Sequence, residues 1–172
     1  MGDAGAVKTN RGEAFVKFVI SRIQTDPAFR AALSRADNVG TEYQSWEYLA
    51  GWCDLDKDWE RSAVTTIAAA IARSKPNVDG VLGIGKAIAA CYDECNHSDQ
   101  AKAKLRRLLA CDSTQEACLI LHPLLRLITS RGERLCYGRL LNDLIYFGDG
   151  GKAKIRWAVD FYGRRGDDSV NA

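Results

Sequence analysis

Only two histidines, His97 and His122, occur in this 172-residue chain, and neither lies in a recognisable local motif with a nucleophile. That scarcity argues against acid–base or nucleophilic chemistry built on imidazole. No apolar run approaches the ~20 residues needed to cross a bilayer, and the N-terminus shows no charged-then-apolar signal segment. The chain therefore reads as a soluble protein with no membrane partner. Missing too is the Cys-x2-Cys turn common in closed zinc sites. Cysteine itself is not scarce, with six at positions 53, 91, 95, 111, 118 and 136. Without a secretory segment they are expected to be free thiols in a reducing cytoplasm, packed as small hydrophobes. Cys91, Cys95 and the nearby His97 fall short of four ligands, so neither a metal nor any other cofactor is expected.

Sustained period-two alternation is also absent, whereas helical spacing of apolar residues runs almost throughout. The fold class this predicts is all-α, with about nine helices in two small packed bundles. The helices are expected near residues 11–23, 27–36, 42–53, 56–74, 83–94, 99–110, 114–130, 136–147 and 151–162. With 47% hydrophobic residues the chain can bury a sizeable core. A glycine-containing connector at about 75–82 suggests an N-terminal bundle over 1–76 and a C-terminal bundle over 77–163. The polar residues 164–172 read as a flexible tail.

Several helix boundaries carry their own mechanism. Asp26 before Pro27 predicts an N-cap with proline at the first helical position, Thr41 with Gln44 resembles a capping box, and Ser98 precedes another helix. Gly132 and Gly163 stand where a left-handed residue would end a helix. Pro123 lies inside the seventh helix and is expected to kink it or split it after Leu121.

Two constellations invite a chemical reading. Gly80-Val-Leu-Gly-Ile-Gly85-Lys86 matches GxxxxGK, the opening of a phosphate-binding loop. Ala87 follows where a hydroxyl should bind magnesium, a polar connector precedes it in place of a buried strand, and no apolar strand ending in aspartate comes after. The alternative is a helix start that buries Ile84, Ala87, Ile88 and Cys91. Asp54, Asp56, Asp58 and Glu60 alternate at the start of a helix, where carboxylates complement the helix dipole and stay solvated.

The basic residues form a more coherent pattern. Residues 1–99 hold 11 Lys and Arg against 14 Asp and Glu, while residues 100–172 hold 13 against 8, so the halves carry −3 and +5. Such asymmetry suits a C-terminal half that faces a polyanion or the acidic face of a partner. In the helix 99–110, taking Leu105, Leu108 and Leu109 as the buried stripe points Arg107 outward and sets Lys104 and Arg106 on its flanks. In the last helix Ile155, Ala158, Val159 and Tyr162 share one side and Trp157 and Phe161 an adjacent one. That helix is therefore expected to be buried over most of its circumference, leaving a narrow wet strip of Lys152, Arg156 and Asp160. Trp46, Trp52, Trp59, Trp157, Phe147 and Phe161 are assigned to the core, which implies phosphate contact with little base readout.

The ordered string of elements resembles one family, the CasB small subunit of the type I-E CRISPR surveillance complex, Cascade. The residues that carry it are Leu33-Ser-Arg35-Ala36, Leu82-Gly-Ile-Gly-Lys86-Ala87-Ile88, Leu105-Arg-Arg-Leu108-Leu109-Ala-Cys-Asp112-Ser and Leu124-Leu125-Arg126-Leu127-Ile128. Tyr137-Gly-Arg-Leu140-Leu141-Asn-Asp-Leu144 and Ile155-Arg156-Trp157-Ala158-Val159-Asp160-Phe161-Tyr162 complete it, the last being the most specific. The resemblance implies a non-enzymatic protein of two helical bundles that sits in two copies along Cascade, beside its large and backbone subunits. It also implies contact with the crRNA-guided R-loop, mainly the displaced non-target DNA strand. Matched position by position, the family's basic elements fall on Arg35, Lys104, Arg126 and Lys152. Arg107, Arg131 and Arg156 join them from surface geometry. Ser34 departs from the family pattern, standing where a second arginine often occurs.

Overall fold

The protein is described by a computed structural model over residues 10–163. The tail 164–172, expected to be flexible, lies outside the described residues. The architecture is all-α, and within the described residues nine α-helices follow one another: α1 (Arg11–Ile23), α2 (Pro27–Leu33), α3 (Tyr43–Leu49), α4 (Asp58–Ser74), α5 (Ile84–Ala90), α6 (Asp99–Leu109), α7 (Thr114–Ser130), α8 (Tyr137–Ile145) and α9 (Lys152–Tyr162). All nine coincide with the segments that the apolar spacing predicts. The short helices α2, α3 and α5 end earlier than expected because their last turns tighten to i→i+3 bonds, as in Ala36 N–H to Leu33 O, Trp52 N–H to Leu49 O and Cys91 N–H to Ile88 O.

Helix α4 is the centre of the packing. Eleven of its seventeen residues are buried, among them Ala63, Ala68, Ala69, Ala70 and Ala72. Small side chains around the whole circumference let neighbours approach from several directions, and α1, α2, α7 and α8 all pack on it. Helix α1 also crosses α8, and α5 packs on α9 and α6. Buried apolar side chains on both sides of the connector belong to one contiguous cluster, from Phe15 through Ile67 to Phe161.

The connector is held as firmly as the helices. Leu82 forms an isolated parallel bridge with Leu135, and Val81 N–H and Leu82 N–H both reach Arg134 O. Asp79 then caps α8 from a distance. Its carboxylate accepts from Tyr137 N–H at 2.7 Å and Gly138 N–H at 3.0 Å, groups that the local N-cap residue, Cys136, leaves without a side-chain partner.

Local expectations fare unevenly. Asp26 caps α2 by accepting from Phe29 N–H, and Ser98 caps α6 by accepting from Ala101 N–H. Gly132 and Gly163 take φ of 75° and 78°. The capping box at Thr41 does not form, because the Thr41 hydroxyl donates to Arg35 O instead and α3 starts one residue after an uncapped Glu42. Pro123 does not split α7, which runs from Thr114 to Ser130. The carbonyl that loses its donor belongs to Leu119, a residue 67% exposed, so water can satisfy it while Leu121, Leu124, Leu125 and Ile128 hold the helix down. Glu60 is not solvated as expected. It is 5% exposed, paired with Arg11 and accepting from Asp54 N–H.

Gly85 explains most of the GxxxxGK string. A Cβ there would stand 2.4 Å from Trp157 O and 2.6 Å from Phe161 N, so the α5 backbone lies directly against α9. Replacing Gly85 with valine forces the two helices apart, a strain of about 3 kcal/mol by comparison with other overpacked cores. The expected result is a thermal midpoint lowered by roughly 6–12 °C in calorimetry or circular dichroism. An unchanged midpoint would contradict the close approach.

Candidate nucleic-acid interface

Three of the expected cations line linked depressions on the surface of α6 and α7. Leu105 and Leu108 are fully buried, which turns Arg107 outward and leaves Lys104 half-buried on the flank. Lys104 and Arg107 line a shallow groove with Leu119, Ile120, Pro123 and Leu124. Pro123 also borders the neighbouring depression, formed with Asp37, Asn38, His122 and Arg126. Arg131 follows at the C-cap of α7, and both it and Lys104 are close enough to the Cys91 thiol to act on it electrostatically. Lys104, Arg107, Arg126 and Arg131 thus gather on two adjacent helices.

The other three expected cations are placed differently. Arg35 is exposed in the turn after α2, two residues before Asp37. Lys152 is exposed at the first position of α9. Arg156 is committed elsewhere: its guanidinium pairs with the buried Asp143, whose second oxygen accepts from the Trp157 indole N–H at 2.8 Å. Of the seven, only Arg156 forms an ion pair among the described residues.

That commitment rotates α9 away from the expected orientation. The helix buries Ala153, Trp157 and Phe161. Ile155 is 62%, Val159 41% and Tyr162 48% exposed, so an apolar stripe joins Lys152 and Arg156 on a wet surface broader than the narrow cationic strip expected. Trp46 and Trp59 also leave the core they were assigned to, each 37% exposed, whereas Phe147, Trp157 and Phe161 are buried. Sequence reasoning passed over Lys154, which lies over the Phe147 ring at 5.5 Å. It also passed over Arg139 and weighed Lys86 only as part of the GxxxxGK string, though both share a groove with Arg156. The i, i+4 line through Lys152 and Arg156 drew attention away from Lys154, and nothing local marks Arg139.

Where a phosphate would need to sit in the GxxxxGK string, a protein carboxylate is already in place. Asp160 accepts from Lys86 N–H at 2.9 Å, and a Cβ on Gly83 would lie 2.3 Å from its Oδ2. The string is a helix start capped by α9, and Ile84, Ala87, Ile88 and Cys91 form its buried face as expected.

His122 lies beside the Arg126 depression, with Nε2 3.1 Å from the Thr66 hydroxyl. Thr66 is 2% exposed, too deep to serve as a nucleophile. Close by, burial pushes the Cys118 thiol up to about 12, so it stays protonated. The Cys53 thiol is likewise raised, to about 11. Burial lowers the imidazole of His122 below its ordinary 6.5; Asp37 opposes this, and Arg73 and Arg126 reinforce it.

Lys104, Arg107, Arg126 and Arg131 thus stand on a helical scaffold without an ion pair among the described residues. The sequence profile of the CRISPR-associated protein Cse2 matches residues 29–162, and the chain belongs to that family, the CasB family its motifs resemble. No curated protein matches the chain. Solved structures share its fold. TTHB189, a CRISPR-associated protein of the Cse2 family from Thermus thermophilus, is 22% identical, with a TM-score of 0.72 over 89% of this chain and 98% of its own. CasB of M. ruber is 24% identical, with a TM-score of 0.70 over 89% and 93%. A chain of a CRISPR RNA-guided surveillance complex is 23% identical, with a TM-score of 0.70 over 88% and 91%.

The sign of the His122 effect follows from its lowered value. The unfolded chain takes up a proton near 6.5 and the folded one resists it, so this contribution to stability is complete above about 6.5 and is lost as pH falls toward the folded value. His122→Gln removes it. The variant is expected to lose less of its thermal midpoint between about pH 7.5 and about pH 5.5 than the unmodified protein does. Equal losses would show that His122 is not held neutral by its surroundings.

Proposed function

We propose that the protein is a non-catalytic small subunit of a type I-E CRISPR surveillance complex, Cascade, acting in the cytoplasm in antiviral defence. In this reading it sits beside the large and backbone subunits with a second copy of itself. It binds nucleic acid without sequence preference and holds the displaced non-target strand of the crRNA-guided R-loop. The observation that carries the reading is the set of uncompensated cations on α6 and α7, Lys104, Arg107, Arg126 and Arg131, in a chain that belongs to the Cse2 family. Arg35 and Lys152 extend the proposed contact. Arg156 supports it indirectly, through the placement of α9. The relative whose structure is titled a CRISPR RNA-guided surveillance complex supports the choice of complex.

The physics asks for no reaction. An R-loop exchanges one duplex for another of similar stability, so a few kcal/mol of backbone contact to the displaced strand can decide which form persists. Fixed charges on helices supply such contact to any sequence, because phosphates are the same at every step. With about five phosphates neutralised, log affinity should fall against log salt with a slope of roughly −3 to −4.

A second reading is an assembly subunit whose cations meet acidic surfaces of neighbouring proteins, with no direct contact to DNA. The exposed apolar stripe of α9 favours at least some protein contact. Replacing both Lys104 and Arg126 with glutamate separates the two. The expected result is a complex of normal native mass that retains the non-target strand at least tenfold less well in permanganate or exonuclease footprinting. It should also show a salt slope shallower by about 1.4. Loss of the complex itself would favour assembly.

A further inference from the structure

Helix α9 leaves Ile155, Val159 and Tyr162 at i, i+4 and i+7, which places three apolar side chains in one line about 10 Å long. The line is not an isolated exposed leucine of the kind every surface carries. Ile155, Val159 and Gly163 form one wall of a groove of about 630 Å3, whose other walls come from the start of α5 at Gly83 and Lys86 and from α8 at Arg139. Of the two carboxylates in the groove, Asp143 is neutralised by Arg156, while Asp160 accepts from the neutral Lys86 amide and keeps its charge. Lys86 and Arg139 are exposed and form no ion pair among the described residues. The groove therefore presents an apolar wall with a rim in which Lys86, Arg139 and Arg156 outnumber Asp143 and Asp160, leaving it net positive.

We infer that this groove docks an amphipathic helix of a different protein subunit, one whose apolar edge covers Ile155 and Val159 and whose acidic edge meets Lys86 and Arg139. The rim cations alone would serve a phosphate, but the aliphatic wall favours a protein, because Ile155 and Val159 offer neither a π-face for a base nor a donor for a phosphate. Their spacing along a straight helix suits ridge-into-groove packing with another helix. The rim sets the sign of the occupant, since desolvating two cations against an apolar or basic partner would oppose binding. This inference rests on the reading that the chain is a subunit of a multiprotein complex, yet it uses a different surface from the α6–α7 cations.

The test places a photo-crosslinking amino acid at Ile155 and co-expresses the chain with the other subunits of the complex and its guide RNA. The expected adduct maps to another subunit, on a segment with Asp or Glu flanking apolar residues at helical spacing. An adduct on nucleic acid, on a second copy of this chain or on its own residues 164–172 overturns the inference. So does an intact complex with no adduct. In parallel, the pair Ile155→Asp and Val159→Asp, at exposed positions and therefore expected to keep the helical circular dichroism spectrum, should enter the complex at least tenfold less well against unmodified protein. Its affinity for a single-stranded oligonucleotide should stay within twofold. Lys86→Glu with Arg139→Glu should also reduce entry, and equal entry would refute an acidic partner. The Lys104→Glu and Arg126→Glu pair is expected to behave conversely, entering normally while losing the strand, so the two readings can fail separately.

Discussion

Asp143 receives the Arg156 guanidinium and the Trp157 indole N–H on a single carboxylate, and these two donors on consecutive residues fix the rotation of α9 about its axis. Residues one apart on a helix point about 100° away from each other, so satisfying both leaves no freedom to turn the helix. Much of the C-terminal half follows from that choice. With Trp157 turned inward, the α9 backbone can lie against Gly85, and Asp160 is aimed at the free amides of α5. The same rotation turns Ile155 and Val159 out to solvent. A buried carboxylate is justified only when its charge is met and its lone pairs are used, and here one cation and one neutral donor do both.

The α6–α7 surface keeps its charge for an opposite reason: among the described residues none of its four cations forms an ion pair, and Asp37, which lines the Arg126 depression, is already taken by Arg73. Elsewhere on the protein cations are consumed by structure: Arg11 by Glu60, Arg61 by Asp58 and Glu42, Arg73 by Asp37. All but Arg61–Asp58, which lies within α4, tie one segment of the chain to another. Lys104, Arg107, Arg126 and Arg131 form no ion pair among the described residues, and charges left unpaired by the fold are the ones a ligand can use. Because they stand on rigid helices, little remains to be ordered on binding beyond the side chains themselves.

The nine helices were legible because apolar spacing of 3.6 residues is a property of each segment alone. Caps that act locally, such as Asp26 and Ser98, were legible for the same reason. What escaped depends on partners distant in sequence. The GxxxxGK glycines looked like a phosphate loop or a plain helix start, and only the approach of α9 shows why Gly83 and Gly85 carry no side chain. Ile155 and Val159 read as core because α9 is apolar on several sides, and its sequence alone cannot say which side Asp143 will select. Trp46 and Trp59 were misassigned on similar grounds, as was the solvated role given to Glu60, whose partner Arg11 lies 49 positions away. Among the candidate cations, the outward placement of Arg107 followed from helix geometry. The pairing of Arg156 did not, since its counterion belongs to another helix.

The distant cap on α8 bears on how the chain reaches this structure. Tyr137 and Gly138 have their amides answered only by Asp79, which precedes them by nearly sixty positions. Isolated short helices are marginal in water, and one whose first turn waits on a remote acceptor has still less reason to persist alone. Closure of the loop between Asp79 and Tyr137 must therefore accompany the ordering of α8, on which α1 and α4 also pack. A chain severed inside that loop would leave the helix that joins the two ends of the protein without its start, so the segments before and after the connector are tied into one cooperative folding event.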